Sequence, residues 1–187
     1  MRNMNSQPKK NRIERNTLLL KISLSGVFAA LIFVATFLIK IPTGYGYYNL
    51  GDGVILISAF LMGPIAFFPA SIGSALADLA SGYPIYIPAT FIIKGLMGAF
   101  AGFWFKKFNV HIVHRLIAFL GAEIIMIGGY FIYEALPIMY GPIVAAGHIV
   151  FNGLQAAVGI AVALIISALL NRLRPRVQSA LSAGSSR

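Results

Sequence analysis

The chain has no cysteine and only five acidic residues among its 187, and each scarcity excludes some chemistry. Without thiols there is neither a disulfide framework nor a thiolate metal site. The acids Glu14, Asp52, Asp78, Glu123 and Glu134 are too few and too scattered for a carboxylate relay. No G-x-x-x-x-G-K-[ST] phosphate loop occurs, so the chain has no motif for powering itself with ATP. H-E-x-x-H and G-x-S-x-G are missing too, which removes the commonest zinc-hydrolase and serine-hydrolase patterns. Charge of either sign is also rare. Charged residues make up 11% of the chain, against about 25% in a soluble domain.

What fills the chain is apolar: 58% of it is hydrophobic, in runs long enough to cross a lipid bilayer. The formal charge of +10 is not spread as a nucleic-acid surface would spread it. The bases gather as Arg2, Lys9, Lys10, Arg12, Arg15 and Lys21, then Lys106, Lys107 and Arg115, then Arg172, Arg174, Arg176 and Arg187. Clusters beside apolar runs mark the cytoplasmic side of membrane loops, so no nucleic-acid partner is expected and the bilayer is.

The first apolar run, Leu18–Ile39, is longer than a signal-peptide core and is followed by Ile41-Pro42-Thr43-Gly44-Tyr45 rather than a small-x-small cleavage site. It is expected to remain as a first span. Residues 53–80 could form one kinked helix or two short ones, and the bases decide between them. One crossing would put Lys106, Lys107, Arg115 and the basic tail opposite the basic N-terminus; two crossings put every cluster on one side. Gly53–Phe68 and Ala70–Ala80 are therefore read as separate spans. Pro88–Phe105, Ile112–Tyr133 and Ile143–Leu170 complete an all-α membrane protein of six helices with both termini cytoplasmic and a pocket open to the outside. The organisation expected is a basic segment 1–17, a membrane domain 18–171 and a basic tail 172–187, with the polar ends 1–16 and 178–187 frayed.

Ionisable groups within spans are costly and face a bundle interior or a cavity. Lys94 lies seven residues inside the fourth span and needs a carboxylate, Asp78 or Glu123, or a ligand. Asp52, Lys40 and Glu134 are read as lying near the outer boundary. His148, Asn152 and Gln155 share one face of the sixth span. Helix–helix hydrogen bonding would account for that stripe, and so would a polar pocket. Tyrosines crowd the outer loops, Tyr83 and Tyr86 among them; they suit interfacial anchors and also an aromatic mouth that could cover a planar ring. Ser25, Gly26, Ala29 and Ala30 give the first span a small-x-x-x-small surface for close helix approach.

Several strings, in order, carry a family likeness. These are Asn49-Leu50-Gly51-Asp52, Met62-Gly63-Pro64, Ile72-Gly73-Ser74-Ala75-Leu76-Ala77-Asp78-Leu79, Gly82-Tyr83-Pro84 and Pro88-Ala89-Thr90-Phe91-Ile92-Ile93-Lys94-Gly95. Together they resemble the substrate-binding S components of energy-coupling-factor (ECF) transporters, of the riboflavin and hydroxymethylpyrimidine/pyridoxine type. The resemblance implies a multi-pass protein of the bacterial cell membrane, not an enzyme, that binds a vitamin and docks on a transmembrane coupling (T) subunit carrying two ATPase subunits. It implies no cofactor and no metal. The solute expected is pyridoxine or hydroxymethylpyrimidine, with riboflavin as the alternative within transport and a membrane enzyme or scaffold subunit as the alternative of another class. Candidate solute contacts are Asn49, Asp52, Asp78, Tyr83, Tyr86, Lys94, Glu123, His148 and Asn152. The family docks through Ala-x-x-x-Ala on its first helix; this chain departs from that pattern with Ser25-x-x-x-Ala29 or Gly26-x-x-x-Ala30.

Overall fold

The computed structural model describes the backbone of residues 7–42, 47–108 and 111–184, and the side chains of 15–41, 47–108 and 111–172. Long apolar runs can satisfy their backbone groups in lipid only as helices, and helices are what form. Helix α1 (Gln7–Leu38) leads into a short antiparallel ribbon, β1 (Lys40–Pro42) and β2 (Tyr47–Asn49), in which Lys40 opposes Asn49 and Ile41 opposes Tyr48. Helix α2 (Gly51–Met62), a single 3-10 turn (Gly63–Ala66) and α3 (Phe67–Ser81) follow. After a second 3-10 turn (Pro84–Tyr86) come α4 (Ile87–Lys107), α5 (Ile112–Glu134) and α6 (Pro142–Gly184). Helix α1 continues through residue 17 and α6 through residue 172.

Five helical stretches are long and apolar enough to cross a membrane, with Gly51–Ser81 counted as one of them. That stretch is not a straight rod. Asp52, at the start of α2, lies beside Lys94, and Gly63, at its end, faces Gly102, so α2 runs in the same direction as α4. Ala66 lies against Gly98 and Ser71 donates to the Phe91 carbonyl at 2.7 Å, so α3 runs the opposite way. The break falls at Gly63, whose φ of 67° suits glycine, and not at Pro69. Pro69 is the third residue of α3, where a missing N–H leaves no helical bond unmade. The two segments expected at Gly53–Phe68 and Ala70–Ala80 are the helices Gly51–Met62 and Phe67–Ser81.

Close approach holds this reversal against α4. A Cβ on Gly102 would lie 2.2 Å from the Gly63 carbonyl group, an impossible contact, so only glycine lets the turn seat there. With 12 residues, α2 spans about 18 Å, short of the roughly 30 Å of a hydrocarbon core. It begins level with Lys94, the eighth residue of α4, and the ribbon lies over its start.

The packed interior is made of Ile55, Leu56, Met97, Phe119 and Met126 with many alanines, where α2, α4, α5 and α6 meet. Large apolar side chains such as Leu20, Val27, Phe103, Ile124 and Ile165 point away from the protein, as lipid-facing residues do.

Candidate functional site

At the end of the bundle beneath the ribbon, a small cavity of about 50 Å³ is walled by polar side chains from every helix except α2. Helix periodicity delivers them. Tyr86, Thr90 and Lys94 recur every four residues and form one stripe; Ser74 and Asp78 on α3, and Tyr130 and Glu134 on α5, repeat the spacing. Helix α6 contributes His148, Asn152 and Gln155, α1 contributes Thr36, and β2 contributes Tyr47, Tyr48 and Asn49.

The floor of the cavity is an ion pair. Lys94 Nζ donates to Asp52 Oδ1, with both side chains almost wholly buried. The carboxylate's other oxygen accepts from Gln155 Nε2 at 2.6 Å, and Gln155 Oε1 accepts the Asn49 backbone N–H at 2.9 Å. The network thus ties α2, α4 and α6 to the ribbon. Asp52 also lies in the first turn of α2, where the helix dipole favours negative charge. Glycine makes this entry possible: a Cβ on Gly51 would lie 2.0 Å from Thr36 Oγ1.

Two further clusters line the walls. Tyr47 donates to Asp78 Oδ1 at 2.6 Å, clasping the ribbon to α3, while Oδ2 of Asp78 has no hydrogen-bond partner among the described residues. Burial, reinforced by the charge of Asp78, pushes the Tyr47 phenol above its ordinary value. Burial likewise raises Tyr48, with a smaller push from Glu134. Across the cavity, Glu134 accepts from Tyr86 at 3.0 Å and pairs with His148 Nδ1 at 2.9 Å. Thr90 and Tyr130 hydroxyls lie 2.9 Å apart, and the Lys94 ammonium sits 5.4 Å from the Tyr130 ring centre. Tyr47 and Tyr83 rings pack at 5.4 Å.

Of the residues singled out in the sequence, Asn49, Asp78, Tyr83, Tyr86, Lys94, His148 and Asn152 converge on the cavity. Asp52 and Glu123 do not line it. Asp52 is at the centre of the floor, not near the outer boundary, because the ribbon carries the chain inward before α2 starts. The partner of Lys94 is Asp52, not Asp78 or Glu123. Glu123 is buried behind the cavity against Gly159, and neither of its oxygens has a hydrogen-bond partner among the described residues. Gln155, read on the α6 stripe, lines the cavity too, whereas sequence reasoning missed Thr36, Ser74 and Thr90 and placed Glu134 only near the outer boundary; the four-residue repeats on α3, α4 and α5 were the available signal. No group of three His, Asp or Glu among the described residues could hold a metal ion.

The small-residue surface of α1 divides between two faces. Gly73 of α3 lies so close to the Ala29 carbonyl that a Cβ would approach it to 2.5 Å, so the Ser25–Ala29 side packs within the chain. Gly26 and Ala30 are exposed, with nothing within 4 Å of a Cβ added at Gly26.

A polar, tyrosine-walled cavity inside a lipid-facing helical bundle defines a class: multi-pass membrane proteins that hold a small solute. The family follows from comparison. The sequence model described as "ECF-type riboflavin transporter, S component" matches residues 16–172, and the chain belongs to that family. It is similar to the thiamine precursor transporter HmpT of Lactococcus lactis subsp. cremoris (strain MG1363), 32% identical over 156 residues, covering 81% of this chain and 88% of that protein. It is also similar to an uncharacterized protein of Pyrococcus woesei, 36% identical over 130 residues, covering 68% of this chain and 85% of that one. The family's members are the substrate-binding components of vitamin transporters.

Proposed function

We propose that this chain captures a single-ring vitamin precursor of the hydroxymethylpyrimidine or pyridoxine kind and presents it to a coupling subunit with two ATPases. The observation that carries this reading is the cavity lining, where polar groups from five helices and the ribbon converge on one space. Asp78 has an acceptor to spare for a ring N–H or amino group, and Asn152 and His148 supply a donor and an acceptor for a hydroxymethyl group. Tyr83 and Tyr86 offer ring faces. Lys94 acts from the floor, already paired to Asp52, so it orients the solute without becoming an uncompensated charge. The likeness to a thiamine precursor transporter supports the same solute class.

In this reading the membrane domain, residues 18–171, crosses the bilayer six times, because α2 and α3 run in opposite directions and the bases then share the cytoplasmic side. The cavity faces outward, in the cell membrane of a bacterium. Docking uses Gly26 and Ala30, the exposed half of the α1 surface. Riboflavin remains the second reading, favoured by the description of the matching family. A membrane enzyme or scaffold is the reading of another class.

Calorimetry of the purified chain against hydroxymethylpyrimidine, pyridoxine and riboflavin, with mass spectrometry of any co-purified ligand, tests it. The expected result is one tightly bound single-ring solute per chain, unchanged after incubation. Tight binding of riboflavin alone moves the assignment to the second reading, and chemical turnover or binding of none of them overturns it.

A further inference from the structure

The bundle's other end holds a buried charge that the chain does not neutralise. Arg115, the fourth residue of α5, is 8% exposed. One guanidinium nitrogen donates to Ser167 of α6 at 3.2 Å, and Nε is buried without a partner. Two ion pairs occur among the described residues, Lys94 with Asp52 and His148 with Glu134, and neither involves Arg115.

The sequence explains why. Of the five acids, Asp52, Asp78 and Glu134 belong to the cavity end. Glu123 is eight residues along α5 from Arg115, about 12 Å by helical rise. Helix α1, which carries Glu14, packs on α2 and α3, whereas α5 packs on α4 and α6; the Glu14 side chain lies outside those described. A buried guanidinium without a counter-charge is costly, and no described acid supplies one, which leaves room for an anion from outside the chain.

We propose that Arg115 holds the phosphate of an anionic phospholipid whose acyl chains lie along α5 and α6. The first turn of a spanning helix sits at headgroup depth, so the guanidinium is level with lipid phosphates. Arginine matches phosphate oxygens with paired N–H donors. On α5 itself the residues beside Arg115 that face outward, Ile112 and Leu116, are large aliphatic side chains that suit acyl chains. Exposed Lys106, Lys107 and Arg172 at the same end favour an anionic lipid over a zwitterionic one.

The test uses the full chain in maltoside micelles, titrated with dioleoyl phosphatidylglycerol, dioleoyl phosphatidylcholine or inorganic phosphate and read by native mass spectrometry. Phosphatidylglycerol should be retained and phosphatidylcholine should not. Arg115→Gln should weaken that retention about five- to tenfold, the scale of one basic residue at an anionic surface, with Arg115→Lys in between. Vitamin affinity, set at the opposite end, reports that each variant is folded. If Arg115→Gln does not fold, the preference of the wild-type chain and its reduction in Arg115→Lys decide the matter. Equal retention by wild type and a folded Arg115→Gln, or equal retention of both lipids, overturns the proposal. So does displacement of the lipid by equimolar inorganic phosphate, which would make the site one for a free anion. Unchanged lipid binding with lost assembly on the coupling subunit would assign the guanidinium to a protein carboxylate instead, and also overturns it.

Discussion

The two ends of the bundle handle charge in opposite ways. At the cavity end, Lys94 and His148 each have a carboxylate from the chain, and both pairs are extended by side-chain hydrogen bonds. At the basic end, Arg115 has a hydroxyl and no carboxylate. Membrane burial raises the cost of an unpaired charge at both ends, so the difference concerns where compensation comes from. A site that binds a neutral or weakly charged solute benefits from being neutralised beforehand, because its polar groups are then fixed in orientation before the solute arrives.

Breaking the floor pair should have the largest effect. Asp52→Asn leaves Lys94 buried beside a neutral amide and should cost about 3–5 kcal/mol of stability, the scale for removing one member of a buried pair. Thermal unfolding in detergent measures it. The double variant Asp52→Asn with Lys94→Met should recover most of the loss while leaving solute binding poor. A double variant as unstable as the single one would show that packing at residue 52, not charge, holds the floor.

Removing one lining group at the same end should act on affinity instead. Asn152→Leu fills its place with an apolar side chain and should weaken the single-ring solute by about 1–2 kcal/mol, roughly tenfold, with little change in melting temperature. Calorimetry separates the two quantities. An unaltered dissociation constant would place the solute away from α6.

The smallest effects belong to the clasp and to the outer surface of α1. Tyr47→Phe removes the hydrogen bond to Asp78 and should weaken binding by about 1 kcal/mol. Because the folded phenol is held above its ordinary value of 10.0, its contribution is fully present below that pH and is lost as the pH rises beyond it. This phenol should therefore add no pH dependence across neutral pH, and any loss of affinity tied to it should begin only above pH 10. Ala30→Leu should leave affinity unchanged and weaken assembly with the coupling subunit by about 1 kcal/mol, read from co-purification. Normal assembly would mean that another face docks.

The helical membrane class was legible because lipid leaves apolar runs few alternatives. The α6 stripe was legible because three polar residues at helical spacing are conspicuous in an apolar run. The position of Asp52 was not, for a physical reason. Its depth depends on a ribbon of three residues per strand, too short to have a periodicity, and on a glycine contact between α1 and α2 that no local pattern announces. Assigning the wrong depth to Asp52 then produced the wrong partner for Lys94. Thr36, Ser74 and Thr90 are hidden differently: each is a single weakly polar residue that spans tolerate anywhere, and only convergence from three helices makes them a wall.

Helix α1 and the ribbon are one uninterrupted piece of chain, and α1 has the lowest share of buried residues among the spanning stretches, 11% against 56% for the stretch containing α4. Its 32 residues make a stiff rod about 48 Å long, packed on α3 and α2 along one side and open along the rest. A rod of that kind is a lever. Tilting it at Gly26 and Ala30 displaces Thr36 and the ribbon at the far end, and with them Tyr47 and the Asn49 link to Gln155. In the proposed docking, a tilt imposed at that surface would reach the cavity's cover at the other end of the rod, where it would strain the bonds from Tyr47 to Asp78 and from Asn49 to Gln155.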